Sequence, residues 1–170
     1  MADSGASAFI FLMTALIVSA SVSAILVESW KGIADTYADG RDKAALDAKT
    51  EISFAGNPMM VNYDTTTDTM IFYVQNTGEM YLEPNIGGVF VDGVRPQGNL
   101  PASPGISTSI VGGGADWGPG DLLEVTLVDS SWTYVDSPVP DELILSLVAN
   151  SLISDGGRGT DTLTLTVRLS

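Results

Sequence analysis

From Ala8 to Val27 the chain runs for twenty residues without a charge. At about 1.5 Å of rise per residue, a helix of that length spans roughly 30 Å, the hydrocarbon thickness of a bilayer. The next stretch keeps a helical period but changes character. From Glu28 to Lys49, steps of about 100° per residue place Trp30, Ile33, Ala34, Tyr37, Ala44, Ala45 and Ala48 on one side. Glu28, Lys31, Asp35, Asp39, Asp42, Lys43, Asp47 and Lys49 fall on the other, with Arg41 on the apolar side and Leu46 on the polar side as exceptions. Lys31–Asp35 and Asp39–Lys43 are opposite charges four residues apart, a spacing that supports a helix. The pattern predicts one long helix, transmembrane and then amphipathic, with weak points at Gly32 and Gly40 and Trp30 at the interfacial position.

The helical period ends near Thr50. Beyond it, short apolar runs alternate with polar residues and are cut by Gly, Pro, Asn and Asp. Strands are predicted at Glu51–Phe54, Met59–Tyr63, Thr69–Gln75, Ile86–Val91, Ser107–Val111, Leu122–Val128, Leu143–Ala149 and Thr162–Leu169. Asp64–Asp68 reads as a hairpin connection, Asp92-Gly93 as a tight turn, and Ser154–Gly157 as the start of another turn. Leu143–Ile153 also has helical spacing at Ile144, Val148 and Leu152, but a strand leading into the Gly-rich turn is preferred. The last strand alternates Leu163, Leu165, Val167 and Leu169 with Thr162, Thr164, Thr166 and Arg168. The expected fold class is α+β: a helix over residues 1–50, then an all-β antiparallel immunoglobulin-like sandwich over 51–170.

Charge sharpens the division. Residues 1–50 carry six acids and four bases, whereas residues 51–170 carry fifteen acids against Arg95, Arg158 and Arg168, within a net charge of −14. So acidic a domain is a poor partner for nucleic acid or anionic lipid and suits a salty exterior. There is no cysteine and no histidine, which removes disulfides, thiol chemistry and the commonest general base. No catalytic constellation stands out and Gly112-Gly113-Gly114 lacks the lysine of a phosphate-binding loop, so the expectation is a protein that is not an enzyme and holds no cofactor. Asp64 and Asp68 are the weak candidates for a structural calcium, their plainer role being a solvated hairpin tip.

Inside the apolar run, Ala15, Ser19 and Ser23 recur every four residues, and Ala20 and Ala24 add a second small pair. Such a stripe lets helix backbones approach closely, so it is the candidate helix–helix interface. Trp30, Ile33, Ala34, Tyr37, Ala44 and Ala48 form the candidate amphipathic packing face, to be covered by a partner helix or by the chain's own β domain. The start, Met1-Ala2-Asp3-Ser4-Gly5, has no base, and the apolar run exceeds the ~7–15 residues of a secretory signal, so no cleavage is expected. Lys31, Arg41 and Lys43 after the span weakly favour a cytoplasmic β domain. Tyr73–Gln75 or the Thr-rich final strand are candidate sheet edges for adding a neighbour's strand.

The whole arrangement resembles the archaellum accessory protein G family, part of the motor complex of the archaeal swimming filament. The likeness is carried by the near-terminal apolar helix with Ser19-Ala20-Ser21-Val22-Ser23 and its amphipathic continuation, by Tyr73-Val74-Gln75-Asn76-Thr77-Gly78, by Val91-Asp92-Gly93, and by Trp117-Gly118-Pro119-Gly120-Asp121. It covers roughly residues 1–128, and the related filament subunits, the archaellins, share the motifs. The resemblance implies a stator part anchored in the cytoplasmic membrane by one span, its β domain outside, acting with the sister accessory protein F and near the surface layer. Two rivals remain. One is a filament subunit whose apolar helices bundle into a core, so that copies of the chain are its partners. The other is a tethered binding module for glycan or calcium.

Overall fold

The computed structural model describes residues 3–86, 88–98, 105–130, 142–154 and 157–170. Among these lie a helix, α1 (Asp3–Lys49), and the strands β1 (Ile52–Ala55), β2 (Asn62–Asp64), β3 (Thr69–Asn76), β4 (Gly88–Val91), β5 (Ile106–Ile110), β6 (Leu122–Val128), β7 (Glu142–Asn150) and β8 (Thr160–Arg168). Contacts divide the chain into two compact units, Met1–Asp42 and Lys43–Ser170.

The first unit is helix. It runs without interruption through Gly32 and Gly40. Its polar side chains are partly neutralised from within. Thr14 and Ser21 donate to the carbonyls of Ile10 and Ile17 at 2.8 and 2.9 Å, one turn back. A hydroxyl satisfied by its own helix enters apolar surroundings at much lower cost than a free one.

The second unit is built from two antiparallel sheets. One has the order β1-β3-β6-β5 with β2 also on β3; the other has the order β4-β7-β8. The longest ladders run from Thr69↔Val128 to Gln75↔Leu122 and from Glu142↔Arg168 to Asn150↔Thr160. Alternation decides which residues face inward. Met70, Phe72 and Val74 of β3 and Leu123, Val125 and Leu127 of β6 meet Leu143, Leu145 and Leu147 of β7 in one core, with Leu82 and Trp117 between strands. Burying each such side chain stabilises by about 1.5–3 kcal/mol. Because this single core draws on both sheets, they pack face to face. The chain is an α+β protein, a long helix followed by antiparallel sheets.

The turn chemistry explains the boundaries. The predicted strand at Met59–Tyr63 shrinks to Asn62–Asp64 because Asn57 and Pro58 open a turn. The Asn57 side chain accepts from Met59 N–H at 3.0 Å and its carbonyl from Met60 N–H at 3.0 Å. Asp92 and Gly93 both have positive φ, 50° and 79°, between the reciprocal Val91–Val94 backbone bonds. Two successive left-handed residues are what a type I′ hairpin requires. The predicted turn from Ser154 closes at Gly157, while its Asp155-Gly156 tip lies outside the described residues.

One edge expectation is corrected. Tyr73–Gln75 is not a sheet edge: β3 pairs with β1 through Ala55↔Tyr73 and with β6 through Tyr73↔Glu124. The final strand does lie at the end of its sheet, but both of its ends are engaged. Ile52 N–H bonds the Asp161 carboxylate at 2.9 Å, and Arg168 N–H bonds Pro58 C=O at 2.8 Å.

At the β2–β3 hairpin, Asp64 accepts from Thr66 N–H at 2.8 Å and from the Thr67 hydroxyl at 2.9 Å. Chiefly the Thr66 amide, then the Thr67 hydroxyl, hold its carboxyl below the usual carboxylate range. A depressed folded pKa gives stability that is full above the unfolded value and is lost as pH falls through the folded one. Thermal midpoints of the native chain and of Asp64→Ala should therefore differ slightly at neutral pH and converge in strong acid. A gap that persists undiminished at about pH 2 contradicts this reading.

Candidate assembly site

Every described side chain from Gly5 to Ala45 is exposed. The large apolar ones point in all directions around α1: Phe11 is 80% exposed, Leu16 62% and Ile17 64%. A helix that is apolar all round is buried in something larger than itself, a membrane or a bundle. The segment is long and apolar enough to cross a membrane, and its apolar window is unburied among the described residues. Ala15, Ser19, Ser23, Ala20 and Ala24 lie on this exposed helix. Beside Ala15, the larger Ile10, Phe11 and Val18 border a shallow groove.

Trp30, Ile33, Ala34, Tyr37, Ala44 and Ala48 are exposed as well. In the second unit, the covered part of α1 is a different face. Leu46 and Asp47 are half-buried while Ala44 and Ala48 are not. Leu46, one of the two residues that broke the helical wheel, is the apolar residue that packs there.

The last helical turn sits in a seat made by two loops. Lys49 C=O accepts from Glu79 and Met80 N–H at 2.9 and 3.3 Å, and Glu51 C=O accepts from Thr77 and Gly78 N–H at 2.9 and 3.0 Å. The Asp47 carboxylate accepts from Thr160 N–H at 2.8 Å. Thr50, buried, bonds back to Leu46 C=O at 2.9 Å. The bonds to Lys49 and Leu46 C=O satisfy carbonyls that a helix end otherwise leaves orphaned. Two glycines let the loops come this close. A Cβ at Gly78 would strike Lys49 C=O and lie 2.6 Å from Glu51 N; one at Gly159 would strike the Thr50 hydroxyl and lie 2.6 Å from Leu46 C=O.

The motif residues converge beside this seat. Asn76 is fully buried. Its amide donates to Met80 C=O at 2.8 Å and Trp117 C=O at 3.1 Å, and its side-chain oxygen accepts from Gly78 N–H at 3.1 Å. Its backbone joins Asp121 C=O and Gly120 N–H. Trp117 is buried and donates from Nε1 to Asp121 C=O at 2.9 Å, and the Asp121 carboxylate accepts from Gly118 N–H at 3.0 Å. Pro119 and Gly120, the latter at φ +86°, occupy the middle of the Gly118–Asp121 turn. So Asn76, Thr77 and Gly78 are tied to Trp117, Gly120 and Asp121, and the knot holds the end of α1.

Two motif groups stand apart. Tyr73 donates to Glu124 at 3.0 Å across the β3–β6 ladder, and that carboxylate pushes the phenol pKa up. Asp92 serves the other sheet, its carboxylate accepting from Ile144 N–H at 2.8 Å. Sequence reasoning missed Gly159 and Thr50. The one signal for them was Leu46, an apolar residue on the polar side of the wheel.

Among the described residues no group of three or more Asp or Glu side chains is placed to share a cation. Asp64 is committed to its own turn and Asp68 accepts from the Tyr63 hydroxyl at 3.1 Å. The site therefore offers surfaces for assembly, one apolar helix and one fixed junction.

No curated protein matches the chain. Among solved structures, AggA, the major subunit of aggregative adherence fimbriae type I from Escherichia coli, is similar at a TM-score of 0.33 and 16% identity, over 71% of this chain and 93% of that one. That likeness is too loose to carry an argument. A family model for archaeal-type flagellin matches residues 2–168, which takes in the exposed apolar helix, the seat and both sheets. The chain belongs to the archaeal-type flagellin family.

Proposed function

We propose that this chain is a structural subunit of an archaeal swimming filament, polymerising through α1 with its acidic sheets outward. The observation that carries this reading is the helical run that is apolar on all sides, its described side chains exposed from Gly5 to Ala45, in a protein whose family match runs from residue 2 to 168. Copies of the same helix would supply the missing surroundings. The small stripe Ala15, Ser19, Ser23 would set how closely they approach. Before assembly the same helix is suited to reside in the cytoplasmic membrane. The fifteen acids of residues 51–170 would keep the outer surface hydrated.

The family match favours this reading over the stator role that the resemblance to the accessory protein G family implied. The two separate experimentally. A tagged full-length chain should be recovered along the length of filaments sheared from cells and seen by immuno-electron microscopy. Recovery only in the membrane fraction, with filaments free of the tag, overturns the filament reading and restores the accessory one. Accessory protein F as a partner belongs to that second outcome.

A further inference from the structure

The Lys43–Ser170 unit carries a cleft of about 310 Å³ lined by Glu79, Met80, Tyr81, Asp116, Leu152 and Ile153. Tyr81 and Ile153 stand open, the latter 77% exposed. Its walls are held in place by backbone bonds. Leu152 N–H reaches Tyr81 C=O at 2.9 Å, and Glu79 and Met80 are pinned to Lys49 C=O. Among the described residues the lining combines apolar surface with two acids and no base. Its complement is an apolar strip bearing one cation.

The chain contains such a strip. On the second half of α1 the apolar side carries Trp30, Ile33, Ala34 and Tyr37, and its single charge is Arg41. Trp30 and Tyr37 are about as exposed as Ile153, at 69% and 71%. We propose that this cleft receives residues 30–41 of α1 from a second copy of the chain. The proposal rests on the filament reading and names a contact within it. Tyr81 and Ile153 cover the aromatic face of the incoming helix, and Arg41 pairs with Glu79 and Asp116. Aromatic and arginine anchors of this kind dominate interface energetics. An arginine held between carboxylates and an aromatic ring gains from both. The cleft also adjoins the seat of the helix end within the same unit, since Glu79 and Met80 serve both.

The absence of cysteine makes the contact directly testable. Two differently tagged full-length forms, one with Tyr37→Cys and one with Ile153→Cys, are co-expressed in cells that build the filament. Sheared filaments are treated with a short bifunctional thiol cross-linker. The expected product is a heterodimer carrying both tags. R41E should abolish it, and E79R placed in the Ile153→Cys copy should restore it in the R41E background. Filaments that contain both tags yet give no heterodimer overturn the proposal, as does undiminished cross-linking in R41E. A chain carrying both cysteines that links only to itself overturns it too. Incorporation of the tags is read separately, so loss of the filament reading itself shows as untagged filaments.

Discussion

Asn76→Asp is expected to destabilise the Lys43–Ser170 unit by about 4 kcal/mol or more at neutral pH, more than Asn76→Ala. The amide group faces two carbonyl oxygens, of Met80 and Trp117, and is fully buried. Alanine removes both donors and the acceptor for Gly78 N–H. Two of those partners have second bonds, since Trp117 C=O also accepts from Leu82 N–H and Gly78 N–H also reaches Glu51 C=O. The alanine loss should therefore be about 2–4 kcal/mol. Aspartate has the right shape but the wrong charge, setting a buried anion against two carbonyl dipoles. Burial raises the pKa of the new carboxyl, so its neutral form can donate one bond and part of the loss is recovered in acid. Urea midpoints of the native chain and both variants at two pH values settle the order. If the aspartate variant is as stable as the alanine variant at neutral pH, the donor role of Asn76 is wrong.

The consequence reaches beyond stability. Met80 and Glu79 hold the end of α1, Gly78 holds Glu51 just beyond it, and Asn76 holds Met80 and Gly78. Loosening this knot frees the helix end while leaving the ladders of β7 and β8 paired. Under the proposed filament role, this junction would carry force from the helix end into the sheets of its own unit.

Much of this was legible in the sequence because it depends on local period. The twenty uncharged residues, the alternation in Thr162–Leu169 and the Asp92-Gly93 turn each encode their structure within a few positions, and the strands appear close to where the pattern places them. The seat was not legible. Its bonds join residues far apart in sequence, Asp47 to Thr160 and Asn76 to Trp117, and no period links them. Nor does composition reveal which strand is interior. Tyr73–Gln75 reads like an edge until β1, returning from the helix end, takes one side of it. The wheel failed at Leu46 for a related reason: its side chain lies beside Gly157 and its carbonyl beside Gly159, so long-range contact decides that face, not the average polarity of its neighbours.

Ile17→Asp and Ser19→Leu should both remove the chain from filaments, but by different routes. Ile17 lies near the middle of Ala8–Val27 and is exposed in the single chain. A carboxylate there costs roughly 2.5–3.5 kcal/mol in a membrane helix, and more in a dry bundle where no partner awaits it. Ile17→Asp should therefore weaken both membrane residence and polymer formation. Ser19→Leu keeps the helix apolar and even raises its affinity for lipid, but fills the middle of the small stripe. If α1 meets lipid alone, this variant behaves like the native chain. If it meets sibling helices, the added side chain holds their backbones apart and polymer is lost while membrane residence survives. Thermal melting of the sheets should be unchanged in both, since Ile17 and Ser19 lie in the other compact unit. Fractionation and electron microscopy of the pair thus distinguish an anchor from a filament core. Normal filaments in Ser19→Leu would eliminate the small stripe as the helix contact.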